Sequence, residues 1–513
     1  MKKKMEYLIG IDVGTTGVKI VLIDETGKLI LKTTEEYPLI TPKPGWAEQN
    51  PYDWWKSTIK GLKKIIFQSK IKPEKILGIG LTGQMHGAVF LDKENNVVHP
   101  AILWCDQRTA KECEEITQKV GEKRIFEITC NPVLTGFQAP KILWLRKNKS
   151  EIYKKVRKIL LPKDYIRFCL TGEFATDVSD ASGTSLFDVK KRNWSDEILE
   201  KLQISKDFLP ESFESTEITG KITKKVSQIT GLKEGIPVVA GAGDQAAGGI
   251  GNGIVKEGLV SVTIGTSGVV FAHSEKVIVD PKGRLHTFCH AVPGKWHLMG
   301  VMLSAGGSFR WFRDVFGKEE IEKAKKMKKD HYEILTNMAK EIPIGCEGLL
   351  FLPYLTGERC PYPDPNARGV FFGISLKHTK SHFIRAVMEG VTFGLKDSVE
   401  IMKEINLPLG KEFIVSGGGG KSNFWCQMQA DIFNKKMIRL SSEEGPSYGS
   451  AILAGVGVGI YNDVQNACKK LLQRKDSFSP LKENVKIYEK LYPIYKNLYF
   501  SLKKDFESLS GIF

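Results

Sequence analysis

Two short stretches, far apart in the chain, share one design. Leu8-Ile9-Gly10-Ile11-Asp12-Val13-Gly14-Thr15-Thr16-Gly17-Val18-Lys19 is an apolar run, a turn of glycine and hydroxyl residues, and a second apolar run. Val260-Ser261-Val262-Thr263-Ile264-Gly265-Thr266-Ser267-Gly268-Val269-Val270 is built the same way. Each predicts two strands joined by a tight turn whose backbone N–H groups can approach phosphate oxygens closely. One such glycine turn alone is equally an ordinary hairpin connection. Two of them, each joining apolar strands, point to two related halves with a nucleotide's phosphate tail held between them.

Composition agrees with that frame. At 513 residues the chain is too long for one ordinary core, and two domains follow, with limits placed at residues 1–253 and 254–513. No apolar run is long enough to cross a bilayer, so no membrane partner is expected. The Met1-Lys2-Lys3-Lys4 start lacks a following signal-peptide core because Asp12 and the glycines interrupt it, and a cytoplasmic enzyme is the expectation. Nine cysteines without a CxxC pair argue against a disulfide framework and a cysteine zinc site. Cys105 and Cys426 read as packing residues. The net charge of +16 comes from dispersed lysines, with local runs at Lys2–Lys4 and Lys323–Lys329. The second run reads as the solvated face of a helix. With no aromatic-basic platform and no finger or recognition-helix motif, a nucleic-acid partner is not expected. The positive field favours encounter with an anion such as ATP.

Strand and helix signals alternate along the first half. Gly27 marks a turn before a strand at Leu29, and Trp55, Ile59, Leu62 and Ile66 recur at helical spacing behind Asn50-Pro51. Ile76–Leu81 reads as a buried strand ending at Thr82-Gly83-Gln84-Met85-His86-Gly87, where open α/β sheets expose ligand-binding residues. Val238–Gly249 is a second strand-to-helix passage, with the seam between halves placed near Gly253–Gly258. In the second half, Ile414–Ser416 leads into Gly417-Gly418-Gly419-Gly420 and a helix through Phe424, Met428 and Ile432. The stripe Ile384, Val387, Val391, Leu395, Val399 and Met402 is core packing on a long helix. Ser447–Ile460 is rich in Gly and Ala and suits a closely packed helix, and the Tyr-rich tail after Lys482 docks as a helix.

Phosphoryl transfer needs a neutralised phosphate tail, a divalent ion and an aligned hydroxyl. Gly14–Gly17 with Thr15 and Thr16, and Gly265–Gly268 with Thr266 and Ser267, can hold the tail. Asp12 can orient Mg2+ or its water shell, since that ion prefers hard oxygen ligands. The Gly417–Gly420 cluster lacks Walker spacing; it is a flat surface for adenine or ribose, or a plain turn. Asp244 is the base candidate, and it is equally placed to be a helix N-cap. Gln84, Met85 and His86, then Trp104, Asp106, Gln107 and Arg108, can match sugar hydroxyls and carbon faces. Core packing for Met85, a structural hydrogen bond for His86 and a local ion pair for Asp106–Arg108 are the competing readings.

Longer motifs carry a resemblance. Thr82–Ala88, Ala101-Ile102-Leu103-Trp104-Cys105-Asp106, Leu161-Pro162-Lys163-Asp164-Tyr165 and Ser179–Thr184 belong to it, as do Phe351–Arg359 and Gly369–Gly373. Through these the chain resembles the FGGY carbohydrate kinase family, and within it the bacterial branch that phosphorylates a ketopentose, from Tyr7 to at least Ile460. The resemblance implies an α/β protein of two ribonuclease-H-like domains, of the actin/Hsp70/sugar-kinase type, with ATP in the cleft between them. It places Asp12 at the Mg2+ and phosphate site, Thr15 and Thr16 in the first phosphate loop, and Gly265, Thr266 and Ser267 in the second. Gly418, Gly419 and Asn423 fall near adenosine. Asp244 matches the general base, and Met85 and His86 match the ketopentose-facing pair, with Gln84, Trp104, Asp106 and Gln245 completing the sugar pocket. The implied partners are ATP and D-xylulose, phosphorylated at its C5 hydroxyl; homodimer assembly stays open.

Two positions depart from the branch, which commonly carries Asn where this chain has Cys105 and Gln245. Gln at 245 is similar to other branches, including those acting on glycerol. The alternatives are therefore a kinase for another polyol or ketose, such as ribulose or glycerol, and a nucleotide-dependent interaction protein without catalysis.

Overall fold

The computed structural model describes residues 5–442 and 444–512. The Lys2–Lys4 run lies outside the described residues. Both glycine turns close antiparallel hairpins. Tyr7–Val13 pairs with Gly17–Asp24, closing at Val13 opposite Val18. Gly258–Ile264 pairs with Gly268–Ser274, closing at Ile264 opposite Gly268. Inside each turn one backbone bond shortens the loop, Gly14 N–H to Gly17 O at 3.1 Å and Gly265 N–H to Ser267 O at 2.9 Å.

Each hairpin belongs to a seven-stranded sheet, and five strands of each sheet share one order. In the first, Leu29–Glu36, Gly17–Asp24 and Tyr7–Val13 run antiparallel, and Ile76–Gly83 and Pro237–Val239 continue in parallel beside Tyr7–Val13. In the second, Trp296–Met302, Gly268–Ser274 and Gly258–Ile264 are followed in parallel by Leu409–Gly417 and Lys436–Leu440. The spatial order third, second, first, fourth, fifth is thus repeated, and the two halves are ribonuclease-H-like domains facing a cleft. In the first sheet the parallel strand Ile76–Gly83 is buried almost throughout, because both its faces are covered, whereas Leu409–Gly417 in the second is only half-buried along much of its length.

The helices follow the sequence expectations closely, with one shift. Pro51–Ser69 is capped by Asn50, whose side chain accepts from Tyr52 N–H. Its core face, however, is Trp54, Thr58, Leu62 and Ile65, whereas Trp55, Ile59 and Ile66 are only half-buried. The Trp54 indole N–H bonds to Gln49 at 3.0 Å, and Gly61 lets the helix lie on Ile20, which together rotate the buried stripe by one residue. Lys380–Glu404 buries the expected stripe, and Lys482–Ser510 docks through Tyr488, Tyr495 and Tyr499. Lys323, Lys325 and Lys326 are exposed on the helix Lys318–Met327. All nine cysteines are free. Among the described residues, no helix is long and apolar enough to cross a membrane.

One helix ties the halves together. Gly445–Gly457, from the second half of the chain, packs on the first sheet against Tyr7–Val13 and Ile76–Gly83. A Cβ on Gly10 would stand 1.9 Å from the Ser447 carbonyl oxygen, and one on Gly80 would stand 1.9 Å from that of Ser450. On its other side, a Cβ on Gly449 would meet the Ala247 carbonyl at 1.9 Å, so the helix Asp244–Gly251 packs equally closely. The small residues of Ser447–Ile460 are there because backbone meets backbone.

Candidate active site

The site is built at the carboxyl ends of the parallel strands. Asp12 lies beside Thr82 in register, and Thr82 lies beside Ala242. The chain then turns into the helix that begins with Asp244. Gly243 is the N-cap residue of that helix, and Asp244 is its first helical residue, so the cap reading for Asp244 is off by one. Asp12 and Asp244 both line a cavity of about 460 Å³ between the halves. Lys19 and Gln245 contribute from the first half, and Thr263, Ser416, Gly417 and Gly418 from the second.

The two carboxylates are electrostatically poised. Burial pushes Asp12 up to about 6, against the pull of Lys19. Burial and the neighbouring Asp12 charge push Asp244 up to about 7, against hydrogen bonds from Gln245. The Asp12 Oδ1 is buried and has no hydrogen-bond partner among the described residues. A buried carboxylate oxygen without a donor is costly unless a cation or a donor reaches it. That donor set of hard oxygens, facing an open cavity, fits Mg2+ held with most of its water shell.

Asp244 is also positioned from behind. Gly243 N–H donates to Ser179 Oγ at 3.1 Å, and Ser179 donates to Asp177. Asp177 pairs with the fully buried Lys163 at 2.9 Å, which also meets Asp164 at 2.5 Å. Lys163, Asp164 and Ser179 fall inside the motifs Leu161–Tyr165 and Ser179–Thr184, whose purpose is not legible from spacing.

Next to Asp244 stands the expected sugar side. Met85 packs on Gly243, where a Cβ would meet its Cγ at 2.9 Å. His86 adopts a left-handed backbone conformation, φ 70°, and a Cβ on Gly183 would meet its Nδ1 at 2.4 Å. Its ring stacks on Phe137 at 4.6 Å and shares a 2.7 Å hydrogen bond with Gly183 O. Burial holds the imidazole neutral, with its pKa lowered to about 3. Lys141, fully buried, donates to the carbonyls of His86 at 2.8 Å and Gly136 at 2.5 Å and so braces both residues. Trp104 donates its indole N–H to Thr15 Oγ1 at 3.0 Å, which joins the first glycine turn to the segment that carries Trp104.

Two expected sugar contacts are turned inward instead. Gln84 is 1% exposed, and its amide is committed to Gln49 at 2.9 Å and to Thr15 and Gly14 of the loop at 3.3 and 3.4 Å. Asp106 is fully buried; Ala47 N–H, Arg108 N–H and the Arg108 guanidinium fill both its oxygens. The Asp106–Arg108 ion pair reading therefore holds, and Arg108 is fixed in turn over the Trp46 ring at 3.6 Å.

The second glycine turn opens on a different cavity, of about 870 Å³. Gly418, Gly419 and Asn423, the residues expected near adenosine, line it together with Gly265 and Thr266, the residues expected in a phosphate loop. Asn423 is fixed by Arg439, which donates to its Oδ1 at 2.7 Å. Ser267 adjoins this group at the turn without lining the cavity. The helices Gly306–Phe316 and His331–Lys340 supply further walls, through Arg310, Tyr332, Glu333, Thr336, Asn337 and Lys340. Their positions 333, 336, 337 and 340 recur at helical spacing, but a polar stripe reads as a solvated face, so sequence reasoning passed over them. Gly418 and Lys421 border both cavities, so the larger space adjoins the one that Asp12 and Asp244 line.

Comparison with known proteins supports this architecture along its length. Residues 7–251 match the N-terminal domain, and residues 260–458 the C-terminal domain, of the FGGY family of carbohydrate kinases. A xylulose kinase of Bacillus subtilis is 41% identical over 97% of this chain and 98% of its own length. A gluconokinase of the same organism is 33% identical over 98% of both chains. The crystal structure of a xyloylose kinase from Brucella ovis superposes with a TM-score of 0.88 at 34% identity, covering 97% of this chain and all of the other. With both domains of the family matched in order around one cleft, the chain belongs to the FGGY carbohydrate kinases, enzymes that phosphorylate a small sugar or polyol from ATP.

Proposed function

We propose that this enzyme transfers the γ-phosphoryl group of Mg-ATP to the C5 hydroxyl of D-xylulose, giving D-xylulose 5-phosphate and ADP. The observation that carries the reading is the contiguous row Asp244, Met85, His86, in which an apolar thioether links a raised-pKa carboxylate to a neutral imidazole. Such a row offers a base at one end of a short carbon chain, a carbon-face contact in the middle and a neutral polar group beyond. The similarity to xylulose kinases supports the same acceptor.

In this reading Asp244 orients the acceptor hydroxyl and takes its proton as the bond to phosphorus forms. Lys19 and the N–H groups of the two glycine turns bind the phosphate tail. Gly418, Gly419 and Asn423 hold the nucleoside. Mg2+, held through Asp12, supplies charge neutralisation at the phosphate oxygens. Closure of the cleft excludes water from the transfer. D-Gluconate is the competing acceptor favoured by the gluconokinase relative, whereas Gln245, in place of the Asn common among xylulokinases, favours another polyol such as glycerol.

The test is ADP release with Mg-ATP across D-xylulose, D-ribulose, L-ribulose, glycerol and D-gluconate. The highest kcat/KM is expected for D-xylulose. A higher value for any other acceptor overturns the assignment.

A further inference from the structure

Arg359 enters the cleft from the second half of the chain. Its backbone is fixed by Glu358, whose Oε1 accepts from Leu303 N–H at 2.9 Å and Arg359 N–H at 2.8 Å. Cys360 N–H donates to Val301 O at 3.2 Å, which pins the segment to the strand Trp296–Met302. The side chain extends toward the first half. Its Nη2 stands 3.9 Å from where a Cβ on Gly136 would be, and its charge acts on His86 and His286. Gly136 touches the Trp104 carbonyl and precedes Phe137, the ring stacked on His86. The guanidinium therefore stands at the His86 end of the sugar side, with Met85 between it and Asp244.

What sets Arg359 apart from the other arginines that are not exposed is that it is uncommitted. Arg108 is filled by Asp106 and Glu48, Arg167 by the carbonyls of Thr219 and Glu173, and Arg385 by Glu389 and Ile342. The Arg359 guanidinium makes no hydrogen bond to any described residue, although it is only partly exposed. Glu358 does not answer it, because one carboxylate oxygen is used on backbone amides and the other is buried without a partner. A guanidinium held deep in a cleft, with its fork empty, is costly unless an acceptor pair completes it. Its planar donors match two adjacent oxygens, such as a carbonyl and hydroxyl or the two of a carboxylate.

We infer that Arg359 reaches across the cleft to grip the paired oxygens at C1 and C2 of the acceptor, the end opposite the hydroxyl that Asp244 activates. The inference rests on the sugar site proposed above and adds a contact from the other half of the chain. The acceptor then bridges the halves, so sugar binding itself draws the cleft closed.

The test compares wild type, R359M and R359K on D-xylulose and on 1-deoxy-D-xylulose, which lacks the C1 hydroxyl. For R359M, the KM for D-xylulose is expected to rise about 50-fold while that for ATP stays within about twofold. The penalty on the 1-deoxy sugar is expected to be roughly fivefold smaller, because one partner of the fork is already missing. R359K, which keeps the charge and loses the fork, is expected to fall between and to serve if R359M does not fold. An unchanged KM, equal penalties on both sugars, or an equal rise in the ATP KM overturns the inference. If the wild-type enzyme uses D-gluconate and not D-xylulose, the proposed acceptor falls. The contact is then read on gluconate, where R359M must raise KM by about 100-fold through the lost carboxylate pair, and no rise overturns it.

Discussion

The two glycine turns are near copies in sequence and have become different parts. In the first, the Thr15 hydroxyl is held by Trp104 and Gln84, and Gln49 binds the Thr15 carbonyl at 2.7 Å. Tyr37 adds a hydrogen bond to the Gly14 carbonyl. A belt of side chains holds this loop in place. In the second, Thr266 is exposed, and the turn is braced by backbone bonds from Ala305, Gly306 and Gly307, at 3.0, 2.9 and 2.9 Å. The same divergence marks the residue two before each first glycine. It is Asp12 in one half and Thr263 in the other, where the hydroxyl is satisfied by Ser416 at 2.7 Å. The two hairpins share one backbone plan, and the carboxylate at that position is present in only one of them.

If that asymmetry is functional, substitutions should divide along it. Asp244→Asn should lower kcat about 10³-fold with melting temperature held or raised, since a strained buried charge is removed. Steady-state turnover beside a thermal melt checks this, and near-normal turnover would remove Asp244 from its role. Asp12→Ala should cost about 10²-fold or more in kcat and raise the Mg2+ concentration needed for half-maximal rate. An Mg2+ titration that matches wild type would leave Asp12 without its assigned partner.

The pH profile sharpens the link between the two carboxylates. Asp244 must be ionised to accept a proton, and its pKa is raised to about 7, so kcat/KM should fall as pH drops through that value. Asp12→Asn removes the like charge that helps raise it, so the acid limb of whatever activity remains should move to lower pH. A limb that stays in place would show that burial alone sets the value.

The smallest effects test the loops directly. Thr266→Val should raise the KM for ATP by roughly fivefold and leave the sugar KM alone. Thr15→Val, in contrast, breaks the bonds to Trp104 and Gln84, so it should raise the sugar KM and lower stability by about 1 kcal/mol. Equal effects of the two substitutions on both substrates would erase the distinction between the loops.

What was legible in the sequence was what is local. The hairpins, the strand-to-helix passage at Asp244 and the apolar stripe of Lys380–Glu404 are each written within a few turns of chain. Side-chain direction is not. Gln84 and Asp106 sit in the right loops but face inward, because their partners Gln49, Ala47 and Arg108 are supplied by tertiary contacts or a reversed turn. The adjacent tryptophans 54 and 55 left the buried stripe of the first helix ambiguous by one residue. Lys163 and Arg359 were visible inside motifs, yet a lysine on three aspartates and an arginine aimed across a cleft become chemistry only when distant strands are brought together.

The seam beneath the site has a mechanical meaning. Where the helix Gly445–Gly457 lies on Gly10 and Gly80, main chain bears on main chain, with the Ser450 hydroxyl beside Gly10. Around those points Leu8, Val21 and Ile23 of the sheet share one buried apolar cluster with Tyr448, Ala451 and Leu453 of the helix. The joint is therefore keyed as well as close, with a clearance at the glycines too small for a single methyl group.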